Sequence, residues 1–181
     1  PPTGTTTGTA GVVIERLPAG GLGPQAETDA TGTTHIVYFS GPPRGGNVFY
    51  VRRTPEGAYS SPAAVNSQPN SALVVGSVRG PQFALDATGH LHVVWNGAPG
   101  SAARPESGMP VFYTRQIEGT DRFEPQRNLV TRVSGTDGGS TVAADANGRV
   151  YVAWHADAER PGEAHRRVYI ARSSDRGSRF D

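Results

Sequence analysis

The sequence of 181 residues has no cysteine, no lysine and no long hydrophobic run. Without cysteine, disulfides, thiolate catalysis and cysteine-ligated metal sites are excluded, while the redox compartment stays open. No apolar run approaches the roughly 18 to 20 residues that span a bilayer, so we expect no transmembrane segment. The 17 basic residues, all arginine, are scattered singly or in pairs, unlike the basic surface that nucleic acid requires. We therefore expect no nucleic-acid partner and assign no cofactor and no metal.

A string of four residues, Asp-Ala-x-Gly, occurs three times in the chain. It begins at Asp29, Asp86 and Asp145, at intervals of 57 and 59 residues, and each copy precedes a β-rich run that ends in an aromatic. Such a steady period indicates one folding unit repeated along the chain. The 24 glycines and 15 prolines are spread evenly, which is typical of short strands joined by many turns.

Each period carries the signals of four strands. In the middle copy, residues 82–85 and 91–95 flank the Asp86 turn as a hairpin, because aspartate and glycine suit a tight turn between strands. A third strand is predicted at 111–115, matched by 48–52 and 168–172. A fourth apolar piece follows at 128–130 and, in the first copy, at 63–65 or 73–75. Four antiparallel strands per period predict a propeller blade.

The predicted fold class is therefore all-β, a β-propeller-type stack of three four-stranded antiparallel blades that forms half or part of a closed propeller. A β-sandwich is the main rival, but it gives no reason for such regular self-similarity. The predicted divisions are a flexible Thr/Gly/Pro tail over 1–10, propeller repeats over 11–181 with a first strand at 11–16, and blades at 24–75, 81–130 and 140–181.

The segment from Ser173 to Phe180 resembles the Asp-box, S-x-D-x-G-x-T-W, of bacterial neuraminidase (BNR) repeats, with Arg179 and Phe180 in the last two positions. The other two copies, at 54–59 and 118–123, keep the glycine and the aromatic but lack the aspartate in register. This resemblance to sialidase-like propellers covers nearly the whole chain past residue 20. It implies structural roles for a set of turn residues, namely Ser173, Asp175, Gly177 and Phe180, and we interpret Asp29, Asp86 and Asp145 in the same way.

Catalytic sialidases, as a family, hold the substrate carboxylate with three arginines, one of them in an Arg-Ile-Pro type motif, and use a Tyr/Glu pair with an Asp acid/base. The present sequence has no Arg-Ile-Pro, and the nearest string, residues 15–18, differs in context. We therefore assign no catalytic residue. Arg52, Arg115 and Arg172 end the third strands at equivalent positions, and we interpret them as side chains that bind turn carbonyls.

Binding is predicted at the opposite face, which carries the long second-to-third connections, because these loops vary in length while the blade does not. The candidate binding residues on that face are Arg44, Asn96, Arg104, Glu106, His155, Asp157, Glu159 and Arg160. Asp157 and Glu159 form a carboxylate pair of the kind that glycoside hydrolysis uses, but solvated loop charge is the simpler interpretation. His35 and His92 share a repeat position with Tyr151 and are predicted to pack between blades, as are Tyr38, Trp95 and Trp154.

Closed propellers have about four to eight blades, and this chain supplies three. The apolar strand at residues 12–15 is predicted to be unpaired, and the third blade needs a fourth strand. We expect a second copy of the chain, or another protein, to close or cap the ring; a fragment of a longer propeller is the alternative. The chain begins at Pro1, so we expect a processed protein, extracellular or periplasmic, from which a signal peptide has been removed.

The predicted function is a non-catalytic binding or interaction module of a secreted or periplasmic sialidase-like protein, with glycan or protein as the ligand. Two alternatives stay open, a fragment of a sialidase-type glycoside hydrolase and a structural scaffold subunit of a larger complex.

Overall fold

The computed structural model describes residues 6–7, 11–17, 20–76, 80–101, 109–131, 136, 138–157 and 166–181. Within these ranges the chain forms strands joined by turns and loops. The strands are β1 (Thr6–Thr7), β2 (Val13–Ile14), β3 (Leu22–Thr28), β4 (Thr34–Ser40), β5 (Asn47–Arg53), β6 (Ala63–Ala64), β7 (Gln82–Leu85), β8 (Leu91–Asn96), β9 (Val111–Arg115), β10 (Arg127–Asn128), β11 (Thr141–Ala144), β12 (Val150–Asp157) and β13 (Arg166–Ser173). No helix able to cross a membrane occurs in the part of the chain that the structure describes.

Strands β3 to β13 form three antiparallel sheets that follow one another along the chain, which confirms the predicted fold class, and β1 and β2 form a separate two-stranded sheet. Blade 1 has the order β3-β4-β5-β6, blade 2 the order β7-β8-β9-β10, and blade 3 the order β11-β12-β13. The fourth strand of blade 1 is Ala63–Ala64, the first of the two predicted positions. The second, at 73–75, forms no strand. Ala72, just before it, bridges to Gly46 of blade 1 and Gly97 of blade 2 and so links the two blades.

Each first hairpin closes on the aspartate of the repeated string. The Asp86 Oδ1 atom accepts hydrogen bonds from the backbone N–H groups of Thr88 (2.8 Å) and His90 (3.0 Å). Asp29 and Asp145 accept the equivalent pairs of backbone bonds. Gly89 takes a φ of 83° in this turn, a backbone conformation that side chains with a Cβ rarely adopt. The aspartate therefore satisfies turn amides, and the glycine permits the turn.

Two apolar layers hold the three blades together. Between blades 1 and 2 lie Val37, Tyr50 and Trp95, and between blades 2 and 3 lie Tyr113 and Trp154. All six residues of β8 are buried, as expected for the middle blade of a stack. Trp95 is 1% exposed and Trp154 7%, in agreement with the predicted packing of both side chains between blades.

The structure differs from the sequence prediction at both ends. The predicted strand at 11–16 is shorter, covering only Val13–Ile14, and it is paired with Thr6–Thr7 rather than unpaired. Those two threonines fall within the predicted flexible tail. At the other end, blade 3 has three strands among the described residues, and Asp181 begins a further pairing by exchanging two backbone hydrogen bonds with Arg172.

Candidate functional site

The three arginines that end the third strands do not converge on one point. Arg115 donates from Nη1 to the Arg176 carbonyl (2.6 Å) and from Nε to Glu124 (2.8 Å). Arg52 pairs with Asp121 of blade 2 at 3.3 Å, and Arg172 pairs with Asp181 at 3.3 Å. Arg52 and Arg115 each bind across a different blade junction, and Arg172 pairs within blade 3, so these three side chains form no common anion site.

The turn from Ser173 to Phe180 is closed by its own side chains. Asp175 Oδ1 accepts from the Ser173 hydroxyl (2.7 Å) and from Arg179 N–H (2.9 Å), while the Ser173 hydroxyl accepts from Gly177 N–H (2.8 Å). These bonds, led by that from Arg179, lower the pKa of Asp175 to about 2. The Phe180 ring packs edge-on against Tyr113 of blade 2, with 4.7 Å between ring centroids. The turn anchors blade 3 on blade 2.

At the same end of the stack, blades 1 and 2 each place an aspartate, a histidine and a tyrosine side by side. In blade 1, His35 lies between Asp29 Oδ2 (3.0 Å from Nε2) and the Tyr50 hydroxyl (2.8 Å from Nδ1). In blade 2, His92 lies between Asp86 Oδ2 (3.5 Å) and the Tyr113 hydroxyl (2.7 Å). Both histidines are buried, at 7% and 1% exposure. Both ring nitrogens of His35 have hydrogen-bond partners, whereas His92 Nε2 has only the longer electrostatic contact with Asp86 and no hydrogen bond among the described residues.

Blade 3 has lost both members of the pair. Tyr151 stands at the histidine position and Ile170 at the tyrosine position, because β12 and β13 pair in the same register as β4 with β5 and β8 with β9. Histidine and tyrosine therefore occur together or not at all in the three blades. The pair is one structural unit.

Burial shifts the protonation of this network. Desolvation lowers the pKa of His92 and outweighs the opposing attraction of Asp86. For Asp86, burial acts to raise the pKa, but the hydrogen bonds from Thr88 and His90 together outweigh it and leave the pKa below its ordinary value. Desolvation also raises the pKa of Tyr50 to about 12. At neutral pH blade 2 therefore holds a neutral His92 imidazole beside an ionised Asp86, and the Tyr50 hydroxyl of blade 1 is neutral.

We expect the free energy of unfolding to fall as the pH is lowered from 7 to below the ordinary histidine pKa of 6.5. The folded-state pKa of His92 is lower than the unfolded value, so the unfolded chain takes up the proton first and gains stability. Below about pH 4, the lowered pKa of Asp86 acts in the same direction. Urea unfolding at a series of pH values measures this. Stability that stays constant or rises between pH 7 and 5 would contradict it, and His92→Gln should flatten the dependence in this range.

Two clefts open between neighbouring blades at this end of the stack, which we call the turn face. Cleft A lies between blades 1 and 2 and has a volume of about 350 Å³. Its lining residues are polar side chains and turn backbone from both blades, namely His35, Tyr50, Arg52, Thr88, Gly89, His90, Gln116, Gly119, Thr120 and Asp121. The volume falls at the lower end of the range of about 300–1,000 Å³ for small-molecule sites.

Cleft B lies between blades 2 and 3 and is smaller, about 250 Å³. Three of its lining residues occupy the same repeat positions as residues of cleft A. His92 corresponds to His35, Arg115 to Arg52, and Arg176 to Gly119. Because Arg176 fills the position that glycine leaves open in cleft A, the ligand space is reduced. Arg115 is also held by three hydrogen bonds to protein atoms. Cleft A is therefore the better candidate site.

The candidate binding residues of the long-loop face are not gathered into a site by the described part of the chain. Arg44 is exposed on a turn. Asn96 is 1% exposed. Its side-chain amide donates to the Gly138 carbonyl and accepts from the Ser140 N–H, so it links blades 2 and 3 and does not face a ligand. His155 is half-buried and Asp157 is buried. The remaining four, Arg104, Glu106, Glu159 and Arg160, lie outside the described residues.

Sequence reasoning missed the residues that complete cleft A. Gln116 and Asp121 sit in a turn whose sequence departs from the Asp-box pattern, so no motif singled them out. One sequence signal could have pointed to the turn face, namely that histidine and tyrosine occur together at the same repeat positions in blades 1 and 2. Nor do any three histidine, aspartate or glutamate side chains come together as metal ligands within the described ranges.

No protein-family model matches the chain, and no curated protein matches it. Several solved structures are similar to the chain. A Hadza microbial sialidase superposes with a TM-score of 0.60 at 14% identity, over 87% of this chain and 36% of that one. A protein of unknown function from Dyadobacter fermentans superposes with a TM-score of 0.59 at 13% identity, over 89% of this chain and 53% of that one. The chain thus spans about a third and about half of these two proteins.

A fucose lectin from Kordia zhangzhouensis also matches, at 14% identity over 87% of this chain and 95% of the lectin, but its TM-score of 0.48 is too low to carry an argument. At identities this low the first two likenesses speak to the fold alone, and they agree with a β-propeller-type stack of blades.

Proposed function

We propose that this chain is a non-catalytic binding module that takes a neutral carbohydrate in cleft A. The observation that carries the proposal is the exposed ion pair of Arg52 and Asp121 across the cleft. The Arg52 Nη2 atom lies 3.3 Å from Asp121 Oδ2, and the two side chains are 52% and 30% exposed. The pair offers a charged donor and a charged acceptor side by side at the mouth of a concave site. Glycan binding keeps the function predicted from the sequence, but moves it from the long-loop face to the turn face.

The polar groups of cleft A are mixed in kind. Arg52 donates, Asp121 accepts, and the hydroxyls of Thr88 and Thr120 and the amide of Gln116 can do both. Sugar hydroxyls also donate and accept, so neighbouring hydroxyls on one ring can satisfy such a set. A ligand with charge of one sign would attract one member of the Arg52–Asp121 pair and repel the other. The mixture therefore favours a neutral, hydroxyl-rich ligand.

A sialidase-type hydrolase fragment is the competing function, and the likeness to a sialidase over 36% of that chain is the observation that favours it. Hydrolysis of a sialoside would require an anion site, whereas Arg52, Arg115 and Arg172 are each engaged at a different blade. We expect no turnover of a fluorogenic sialoside by this chain. Turnover that Asp157→Asn abolishes would establish the hydrolase instead.

A glycan array followed by calorimetry with the selected glycan tests the proposal. We expect saturable binding that weakens about tenfold or more in Arg52→Ala and in Asp121→Asn, because each loses a charge-assisted hydrogen bond. Arg149→Ala is the matched control, since its side chain is 51% exposed and pairs with Asp145 at 3.4 Å, outside both clefts. Binding that survives both cleft variants, or an array on which the chain binds no glycan, would refute the assignment.

The array also separates this function from a scaffold role, in which the chain binds protein and no glycan. An extracellular or periplasmic location belongs to the proposal, since glycans of the kind displayed on arrays are presented there.

A further inference from the structure

Clefts A and B adjoin each other across the turns of blade 2. His90, in the turn between β7 and β8, and Gln116, at the end of β9, line both clefts. The turn that follows β9 also borders both, since residues 117–118 line cleft B and residues 119–121 line cleft A. The ridge between the clefts therefore consists of two turns of a single blade, and one extended molecule can reach across it.

Two glycines keep this ridge low. Gly89 and Gly119 have φ values of 83° and 70°. Apart from the adjoining residues of the chain, no heavy atom lies within 4 Å of the position that a Cβ would take at either glycine. A ligand that leaves cleft A over these turns therefore meets backbone and open space, and no side chain of the two glycine positions blocks its path to cleft B.

Cleft B contains a charged donor and a charged acceptor that are available to a ligand. Arg176 and Glu118 line this cleft and are exposed, and neither side chain forms a hydrogen bond or an ion pair with any residue in the described ranges. The stem of Arg176 lies over the Gly148 turn, where a Cβ on Gly148 would be 2.9 Å from Arg176 Cγ. Packing of the stem therefore positions the guanidinium while its donors stay unused.

Ile117 adds an exposed apolar side chain to cleft B, with 39% of its surface accessible. Small-molecule sites combine apolar contact with a few polar groups that orient the ligand. A sugar ring offers both kinds of surface, because its hydroxyls lie around the ring and its C–H bonds form apolar patches on the ring faces. The hydroxyls suit Arg176 and Glu118, and an apolar patch suits Ile117.

The shared wall contributes a further acceptor through His90. The Thr88 hydroxyl has a single proton and lies 2.6 Å from the Oδ1 atom of the ionised Asp86, which can only accept. Thr88 therefore donates to Asp86, and its oxygen, 2.7 Å from His90 Nδ1, accepts from the ring. In a neutral ring the proton is then on Nδ1. Nε2 has no hydrogen-bond partner in the described part of the chain, so it can accept from a ligand hydroxyl beside both clefts.

We propose that cleft B is a second subsite for the carbohydrate of cleft A, so that the ligand is a neutral oligosaccharide of at least two sugars that extends across blade 2. This proposal rests on the function assigned to cleft A. One sugar contacts Arg52 and Asp121, and the next contacts Arg176 and Glu118. Both clefts thus present a cation together with an anion, which favours an uncharged sugar in each.

The size of cleft B agrees with a subsite and not with an independent site. Its volume of about 250 Å³ is below the range of about 300–1,000 Å³ for small-molecule sites. A sugar linked to one already held in cleft A needs little affinity of its own, because the linkage keeps it at a high effective concentration. Cleft B can therefore contribute to binding although it is small.

Calorimetry with three probes tests the subsite, namely the terminal disaccharide of the glycan selected on the array and its two component monosaccharides, all as methyl glycosides. We expect the disaccharide to bind about tenfold or more tightly than the better monosaccharide. Arg176→Gly and Glu118→Gln should each weaken the disaccharide about fivefold or more and leave the better monosaccharide unchanged, because each removes a charge-assisted hydrogen bond in cleft B only. Arg52→Ala should weaken both.

The variants are chosen so that the fold is kept. Glycine suits the φ of 53° at Arg176 and is the residue that cleft A has at this position, Gly119. Arg179→Ala is the matched control, since its side chain is 91% exposed in the same turn but lines neither cleft. It should bind the disaccharide as the unmodified chain does. In an NMR titration of the unmodified chain, the amides of Ile117 and Glu118 should shift with the disaccharide and not with the better monosaccharide.

The outcomes separate the subsite from the function of cleft A. A disaccharide that binds no more tightly than the better monosaccharide, or whose affinity survives both Arg176→Gly and Glu118→Gln, would overturn the subsite and leave cleft A as a site for a single sugar. If none of the three probes binds the unmodified chain, the function assigned to cleft A fails, and the subsite fails with it.

Discussion

Replacing Trp95 with alanine is expected to lower the free energy of unfolding by about 3–5 kcal/mol. The side chain is 1% exposed and packs in the layer that joins blades 1 and 2, where Phe112 lies at 5.7 Å between ring centroids. Alanine would leave a cavity that the flanking sheets cannot close, because each sheet is held by its own backbone ladder. Domains of this size are stable by only about 5–15 kcal/mol, so the loss is a large share of the total.

Trp154→Ala is the control for this substitution, since it removes the same side chain at the same repeat position. Trp154 is 7% exposed and borders the open groove beside β13, so part of its surroundings is already solvent. Denaturant unfolding of the two variants should show the larger loss for Trp95→Ala. Equal losses, or a loss below about 1 kcal/mol for Trp95→Ala, would mean that the interblade layer does not carry the stability assigned to it.

Asp86→Ala is expected to destabilise the chain by about 2–3 kcal/mol, the second largest effect. Its Oδ1 atom accepts from the Thr88 N–H, the Thr88 hydroxyl (2.6 Å) and the His90 N–H, and its side chain is 4% exposed. Removing the carboxylate leaves these donors without their acceptor and removes the negative charge that lies 3.5 Å from the buried His92 Nε2. Thermal or urea unfolding measures the loss.

Asp145→Ala tests whether burial, and not the turn motif itself, sets the size of that effect. Asp145 makes the equivalent backbone bonds, but its side chain is 34% exposed and water can replace the lost acceptor. We expect a clearly smaller loss than for Asp86→Ala. The same loss in both variants would argue that the turn bonds alone matter and that the buried histidine network adds nothing.

The fold could be predicted from the sequence because its determinants are local and repeated. The Asp86 turn, the apolar run that follows it and the strand ending at Arg115 recur with a steady period, and each is fixed by turn chemistry and by alternation along a strand. The ends were harder to predict. Pairing of Val13–Ile14 with Thr6–Thr7, and its position on blade 1 through Glu15, depend on one ion pair and one tyrosine that no periodicity marks.

The sequence directs the candidate site to the long loops, whereas we propose the turn face, and the difference has a physical reason. Variable loop length indicates where a chain tolerates variation, and it does not show which side chains are accessible. Asn96 meets this loop criterion, but its amide is buried and hydrogen-bonded to Gly138 and Ser140. Cleft A instead arises from the register of neighbouring blades, which brings Arg52 of one beside Asp121 of the next. Contacts across repeats depend on how blades stack, and the sequence of a single repeat does not contain that information.

The proposed binding site is the turn face between blades 1 and 2. An NMR titration of the backbone amides with the glycan that the array selects tests this placement directly. We expect the largest shift changes at Arg52, Gln116 and Asp121, with little change at Arg44 on the long-loop face. Changes centred on Arg44 and its loop, with cleft A unaffected, would contradict it.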